Sequence, residues 1–217
     1  MSKNKYPEQT KKKIIDTALA LFEQKGFNDT TIQDIIDKMQ MSKGAIYYHF
    51  KSKDDIILAV RDQIYMDDSN VIEDLIHNDQ LPIKSKISEI IMYLTTSERK
   101  KKLLDCVCLR NKVVLLDNVK SIERSAPLWE TLIKQGITEG VFKTDFPYEA
   151  AEVMMLLFNI WLDPLLFSGT FLQLSRKVEF LSHMLCSIGV PILEPNDVEK
   201  IENFMSPYCE GTPNNGI

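Results

Sequence analysis

Long apolar runs are missing from this sequence of 217 residues. No uncharged stretch approaches the roughly 18 apolar residues that a membrane-crossing helix requires. The opening MSKNKYPEQTKKK has no apolar core of the kind a secretory signal carries. Glycine and proline are scarce, with eight and nine residues, which disfavours a turn-rich all-β architecture. Four cysteines (Cys106, Cys108, Cys186 and Cys209) at irregular spacing do not form a disulfide framework. Also lacking are a Gly-rich phosphate loop, GxSxG, HExxH and a pair of acids in an apolar neighbourhood. No enzyme, cofactor or metal site is therefore expected. Cys106-x-Cys108 does not change this. On a helix, side chains two apart point about 200° away from each other and cannot share one ion. Both thiols read as buried and structural. With 44% hydrophobic and 26% charged residues, the composition is that of an ordinary globular protein. A soluble, cytoplasmic, mostly helical protein is the expectation.

The net charge of −5 argues at first against a nucleic-acid partner. Its distribution argues the other way. Residues 1–60 hold ten lysines and eight acids, net +2, whereas residues 61–217 hold sixteen bases and twenty-three acids, net −7. A slightly basic end on an acidic body is the asymmetry of a chain with one end turned to a polyanion.

Helix signals crowd the first quarter. Ile14, Ile15, Ala18, Leu21 and Phe22 form one helical stripe, which Gly26 stops. Thr30 as N-cap with Gln33 at N3 forms a capping box opening a short helix, with Ile32, Ile35, Ile36 and Met39 inward. Ser42 caps another, from Lys43 to about His49. Ser52 with Asp55 caps a fourth, carrying Ile56, Ile57, Val60 and Ile64. Two short helices separated by Gln40-Met41, after a longer bracing helix, match a helix-turn-helix. Only Ile46 and Phe50 of the second short segment point inward. Lys43, Tyr47, Tyr48 and His49 give it a polar and aromatic outer face, poor for a core and suited to a groove.

From Ile14 to Ile57 the chain resembles the tetracycline-repressor (TetR) family of transcriptional regulators. The resemblance is carried by Ala18, Leu21-Phe22, Gly26-Phe27, Thr30-Thr31-Ile32, Ile35 and the run Ser42-Lys43-Gly44-Ala45-Ile46-Tyr47-Tyr48-His49-Phe50-Lys51-Ser52-Lys53-Asp54. One departure stands at the turn, where the family usually has glycine and this chain has Gln40. The resemblance implies an all-α fold: an N-terminal three-helix helix-turn-helix DNA-binding domain (1–50) and a larger helical ligand-binding and dimerisation domain (51–217). By the same resemblance, Lys43, Gly44, Ala45, Tyr47, Tyr48 and His49 would meet bases or backbone in the major groove of double-stranded DNA. Thr30, Thr31 and Gln33 would meet phosphate at a helix N-terminus, and Lys51 and Lys53 would add phosphate contacts.

Beyond residue 52 the pattern is a string of helices at about 53–76, 82–97, 101–117, 121–139, 147–167, 170–188 and 195–205. Segment 147–188 is the most apolar, and the family packs its last two long helices as a four-helix dimer bundle. Met155, Leu162, Phe171, Leu174, Val178, Leu181 and Leu185 are the expected homodimer contacts; burial inside one subunit is the alternative. Family members commonly bind a small-molecule effector in the second domain. The candidates here are Tyr93, Cys106, Trp129, Met154, Phe158, Asn159 and Trp161, although Met and aromatic residues at helical spacing are more often plain core. Asn159 lies near an apolar stripe, where its amide needs a partner: backbone, water or ligand. The expected function is a repressor that binds a palindromic operator as a homodimer and is released by its effector. An activator or ligand-independent regulator, and a non-DNA helical interaction or lipid-carrier module, also fit the sequence.

Overall fold

In the computed structural model, which describes residues 7–98, 101 and 112–211, helix α1 (Pro7–Lys25) buries Ile14, Ile15, Ala18, Leu21 and Phe22 as the stripe predicts, with Leu19 beside them. Gly26 ends it at φ +81°, its N–H bonded to the Phe22 carbonyl at 2.8 Å. Helices α2 (Ile32–Met39) and α3 (Lys43–His49) follow. The capping box of α2 lies one residue later than the sequence suggests. Thr31 is the N-cap and Asp34 the reciprocal partner, because Thr30 is buried with its hydroxyl donated to the Gly26 carbonyl at 2.7 Å.

Between α2 and α3 the chain turns at Gln40, which lies at φ 52°, ψ 36°. It is the one non-glycine residue at positive φ among the described residues. Helix α4 (Lys53–Ile76) opens on Ser52 and Asp55 as expected: Ser52 Oγ caps the Asp55 N–H at 3.0 Å, and the Asp55 carboxylate accepts from Lys51 and Ser52.

The described residues fall into two compact units, within Met1–Asp67 with Glu98–Val114 and within Asp68–Ser97 with Leu115–Ile217. In the first, α1 to α3 and the start of α4 share a core of Ile14, Phe22, Ile35, Ile46, Phe50, Ile56 and Val60. Full burial of each large side chain is worth roughly 1.5–3 kcal/mol.

The second unit contains α5 (Ile83–Thr96), most of α6 (Lys112–Thr138), α7 (Pro147–Leu156), α8 (Phe171–Ser187) and α9 (Pro195–Met205). Its core joins Ile83, Ile87 and Ile90 to Leu132 and Ile133, Met154, and Leu174, Val178 and Leu181. Lys86 is buried there, donating to the Ile76 carbonyl at 2.6 Å and to Gln135 Oε1 at 2.9 Å. Its charge thus answers the last carbonyl of α4, where the helix dipole favours a cation.

Two helix boundaries differ from the sequence reading. The break expected between 117 and 121 does not exist, and α6 continues through Pro127. Its polar stretch is held by side chains: Asn118 donates to the Asn159 carbonyl at 3.0 Å, and Asp117 lies 3.6 Å from Arg124. The helix expected over 147–167 is α-helical only to Leu156. It then widens to a π turn over Leu157–Trp161, closed by a bond from the Leu162 N–H to the Leu157 carbonyl at 2.9 Å. Asp163 and Pro164 end it. The Asp163 carboxylate caps the N–H groups of Leu165 and Leu166, at 2.7 and 3.2 Å.

A left-handed residue with a Cβ costs roughly 1–2 kcal/mol, and part of the relief given by glycine is lost to its freer unfolded chain. Gln40→Gly is therefore expected to stabilise the first unit by about 1 kcal/mol, seen as a higher urea midpoint with unchanged m-value.

Candidate nucleic-acid interface

Helix α3 is two turns long, and of its seven residues only Ile46 is buried. Ser42 caps it, its Oγ accepting from the Ala45 N–H at 3.2 Å. With Ile46 turned inward, Lys43, Gly44, Tyr47 and Tyr48 are exposed, while Ala45 and His49 are partly buried. Tyr47 is 41% and Tyr48 78% exposed. These rings are organised along the helix: the Lys43 ammonium lies 5.6 Å from the Tyr47 ring centroid, and Tyr48 meets His49 edge to face at 5.0 Å. Gly44 has no neighbour within 4 Å of where a Cβ would stand. Nothing among the described residues requires a glycine there, although one inside a helix costs roughly 0.5–1 kcal/mol against alanine.

At the start of α2, Thr31 is exposed and engaged with Asp34, whose carboxylate accepts from the Thr31 N–H at 2.7 Å and hydroxyl at 2.6 Å. Lys25 pairs with the same carboxylate at 2.8 Å. Lys25 first, then the Thr31 hydroxyl and N–H, hold Asp34 well below the usual carboxylate range. The Lys25–Asp34 pair was missed at the sequence level. Its signal was present as Thr31-x-x-Asp34, the same capping pattern read one residue early. Gln33 is exposed and donates to Asp37 Oδ1 at 2.8 Å.

Two expected phosphate contacts are corrected. Thr30 is fully buried and its hydroxyl is spent on internal carbonyls, so it cannot reach a phosphate. Lys53 is partly buried and donates to the carbonyls of Phe27, Asn28 and Thr30 at 2.6, 3.1 and 2.8 Å, 4.3 Å from the Phe27 ring centroid. Its three N–H donors are all used in fastening the α1–α2 turn to the start of α4, and burial pushes its pKa down. Lys51 remains exposed.

Most of the described residues expected to hold an effector belong to the core of the second unit or pack against it. Trp129 and Met154 are buried core, with Phe158 and Trp161 partly buried against the same cluster. Tyr93 donates its hydroxyl to Asp68 at 3.0 Å. Asn159 finds its partner in the backbone, its amide bonded to the Met155 carbonyl at 2.8 Å. Cys106 lies outside the described residues, as does Cys108. Five of the seven expected dimer contacts are corrected as well. Leu162, Leu174, Val178, Leu181 and Leu185 are buried inside the subunit and present no surface to a second copy. Met155 is partly buried against the core and Phe171 is exposed. The apolar side chains left exposed on α7 and α8 also include Val153, Leu156, Leu172 and Phe180. Helical periodicity marks the apolar residues but does not say which of them the subunit itself covers.

An all-helical chain that opens on a helix-turn-helix and continues into a larger helical unit has the build of a transcriptional regulator, and the comparisons agree. The family described as "Bacterial regulatory proteins, tetR family" matches residues 14–60, and "Tetracyclin repressor-like, C-terminal domain" matches residues 94–183. This chain belongs to the TetR family of transcriptional regulators, which are not enzymes. Among its relatives is the biofilm operon icaADBC negative transcriptional regulator IcaR of Staphylococcus aureus, 48% identical over 46 residues, which are 21% of this chain and 25% of that protein. The chain spans about a fifth to a quarter of the length of the curated relatives it matches.

Two solved structures share the fold. A TetR-family regulator from Pectobacterium atrosepticum superimposes with a TM-score of 0.61 at 19% identity, over 87% of this chain and 98% of that one. SmeT, the repressor of the Stenotrophomonas maltophilia multidrug efflux pump SmeDEF, superimposes in its triclosan complex with a TM-score of 0.56 at 19% identity, over 88% and 97%. Among the described residues no helix is long and apolar enough to cross a membrane, and no group of three His, Cys, Asp or Glu side chains could hold a metal ion.

Two stability measurements test the local assignments. Replacing the Lys53 clamp in Lys53→Met removes three charge-assisted bonds and is expected to cost about 2 kcal/mol, read as a lower urea midpoint; a phosphate-only role would leave the midpoint unchanged. Asp34 is held below its unfolded value of about 4, so its contribution is present above that value and fades as pH falls beneath it. The wild-type urea midpoint should therefore drop between pH 6 and pH 3 by more than that of Asp34→Asn.

Proposed function

We propose that this chain is a repressor that binds a palindromic DNA operator as a homodimer and is released by a small molecule bound in its second unit. The observation that carries this reading is the outward face of α3. Two tyrosine rings, a lysine and a glycine with open space above it are displayed by a helix that buries only Ile46. Exposing such rings and placing a glycine in a helix both cost stability without return inside the subunit. Both are useful against a duplex. The glycine lets the helix sit deep in the major groove, Ala45 is small enough to touch a thymine methyl, and Tyr47, Tyr48 and His49 bring hydrogen-bonding groups to base edges or backbone. Lys43 and Lys51 supply phosphate contact, and Gln33 with the Thr31 end of α2 does the same.

A single two-turn helix offers few base contacts. Two copies about 34–36 Å apart would read successive major grooves on one face of a palindrome. The exposed Val153, Leu156, Phe171, Leu172 and Phe180 are the apolar side chains a second copy would cover. Negative regulation by IcaR and the repressor SmeT support the sign, and the SmeT–triclosan complex supports an effector. An effector acts only through its preference for one conformer over the other.

Fluorescence anisotropy on a palindromic duplex enriched by the protein from a random library tests the reading. At moderate salt the wild type is expected to bind at least about tenfold more tightly than Tyr47→Ala, one good base contact being worth roughly 1–3 kcal/mol. Lys43→Ala and Lys51→Ala should each make the slope of log affinity against log salt shallower by about 1.8, since each removes one phosphate contact from both subunits of the dimer. Wild-type affinity no better than that of Tyr47→Ala would overturn the proposed interface.

A further inference from the structure

The second unit holds a cavity of about 210 Å³ that the family assignment does not use, lined among others by Pro164, Phe167, Thr170, Leu174, Lys177 and Cys209. It lies where the π turn after α7 gives way to the Asp163-Pro164 turn and the chain re-enters α8, with Cys209 contributed from beyond α9. Lys177 is its only charged side chain. The ammonium donates to the Trp161 carbonyl at 3.3 Å and lies between two rings, 5.4 Å from the Trp161 centroid and 5.0 Å from that of Phe167. None of the ion pairs found among the described residues includes it.

We infer that this cavity binds a small monocarboxylate with one apolar ring, its carboxylate on the Lys177 ammonium and its ring among Phe167, Pro164 and Leu174. Charge decides the sign of the ligand. A partly buried cation with one long hydrogen bond and no ion pair among the described residues gains from an anion and repels a second cation. The surroundings are weakly polarisable as well: burial pushes the Lys177 pKa down and the Cys209 thiol up. A thiol so raised stays protonated, and the site is one of binding without a covalent step. Size decides the body. A cavity of about 150 Å³ admits benzene, so 210 Å³ has room for one ring with its carboxylate. A phosphate dianion would ask for more donors than a single ammonium supplies. As a binding site the cavity stands on these contacts alone; as the place where an effector acts it rests on the regulator reading above.

Benzoate is the probe, titrated calorimetrically into the full-length protein. Saturable binding is expected, weakened at least about tenfold in Lys177→Met and largely retained in Lys177→Arg. Benzyl alcohol on the wild type, which needs no variant to fold, should bind at least about tenfold more weakly than benzoate. No saturable benzoate binding at millimolar concentration, or benzyl alcohol binding as tightly as benzoate, overturns the site. Repeating the anisotropy titration with benzoate separates the two proposals. Lys177-dependent binding that leaves operator affinity unchanged keeps the site and removes its effector role, while absence of operator binding altogether strikes the regulator reading alone.

Discussion

Ile46 is the side chain on which the outward display of α3 depends. A helix of seven residues has too few hydrogen bonds to hold itself, and this one is fastened along its length by a single fully buried group. Phe50, just past its end, adds a second anchor, and Ser42 caps its start. Because so little of α3 is spent on the core, most of its circumference is left to face outward. The stability lost in that display is recovered beneath it, where Ile14, Phe22, Ile35 and Ile56 close the first unit.

The same unit shows how charge can serve architecture before it serves recognition. Lys53 begins α4, an unfavourable place for a cation beside a helix N-terminus, yet its ammonium gathers three carbonyls of the α1–α2 turn. Asp34, favourably placed at the start of α2, is shared between Thr31 and Lys25. What these two ion sites leave for the proposed DNA contact is a smaller set: Lys43 and Lys51 for charge, Tyr47, Tyr48 and His49 for shape and hydrogen bonding. A net excess of +2 over residues 1–60 overstates the charge free to meet phosphate, since Lys53 and Lys25 are already engaged.

The second unit sorts its apolar residues in a way that one-dimensional spacing cannot express. Leu174, Val178, Leu181 and Leu185 lie on one stripe of α8 and are closed within the subunit. Phe171, Leu172 and Phe180, on the same helix, are left outside. Asn159 is comparable: near an apolar stripe its amide needs a partner, which spacing leaves open between backbone, water and ligand, and the fold supplies the Met155 carbonyl at 2.8 Å. The break at Asp163-Pro164 opens the cavity beside Lys177 with residues drawn from three separate stretches of chain.

Helix positions, caps and the inward residues of the first quarter were legible in the sequence because each rests on interactions within about four positions along the chain. The stripe Ile14 to Phe22, the caps Ser42 and Ser52, the stop at Gly26 and the burial of Ile46 are of that kind, as is the membership in the TetR family that those residues carry. Tertiary structure alone decided which threonine caps α2, because the buried hydroxyl of Thr30 is claimed by carbonyls four and nine residues away. It likewise decided that Lys53 is a clamp 23 to 26 residues from its acceptors, and which face of α8 is core. Those outcomes depend on what the folded chain brings alongside a residue, and hydrogen-bond and burial energies follow proximity in space, not in sequence.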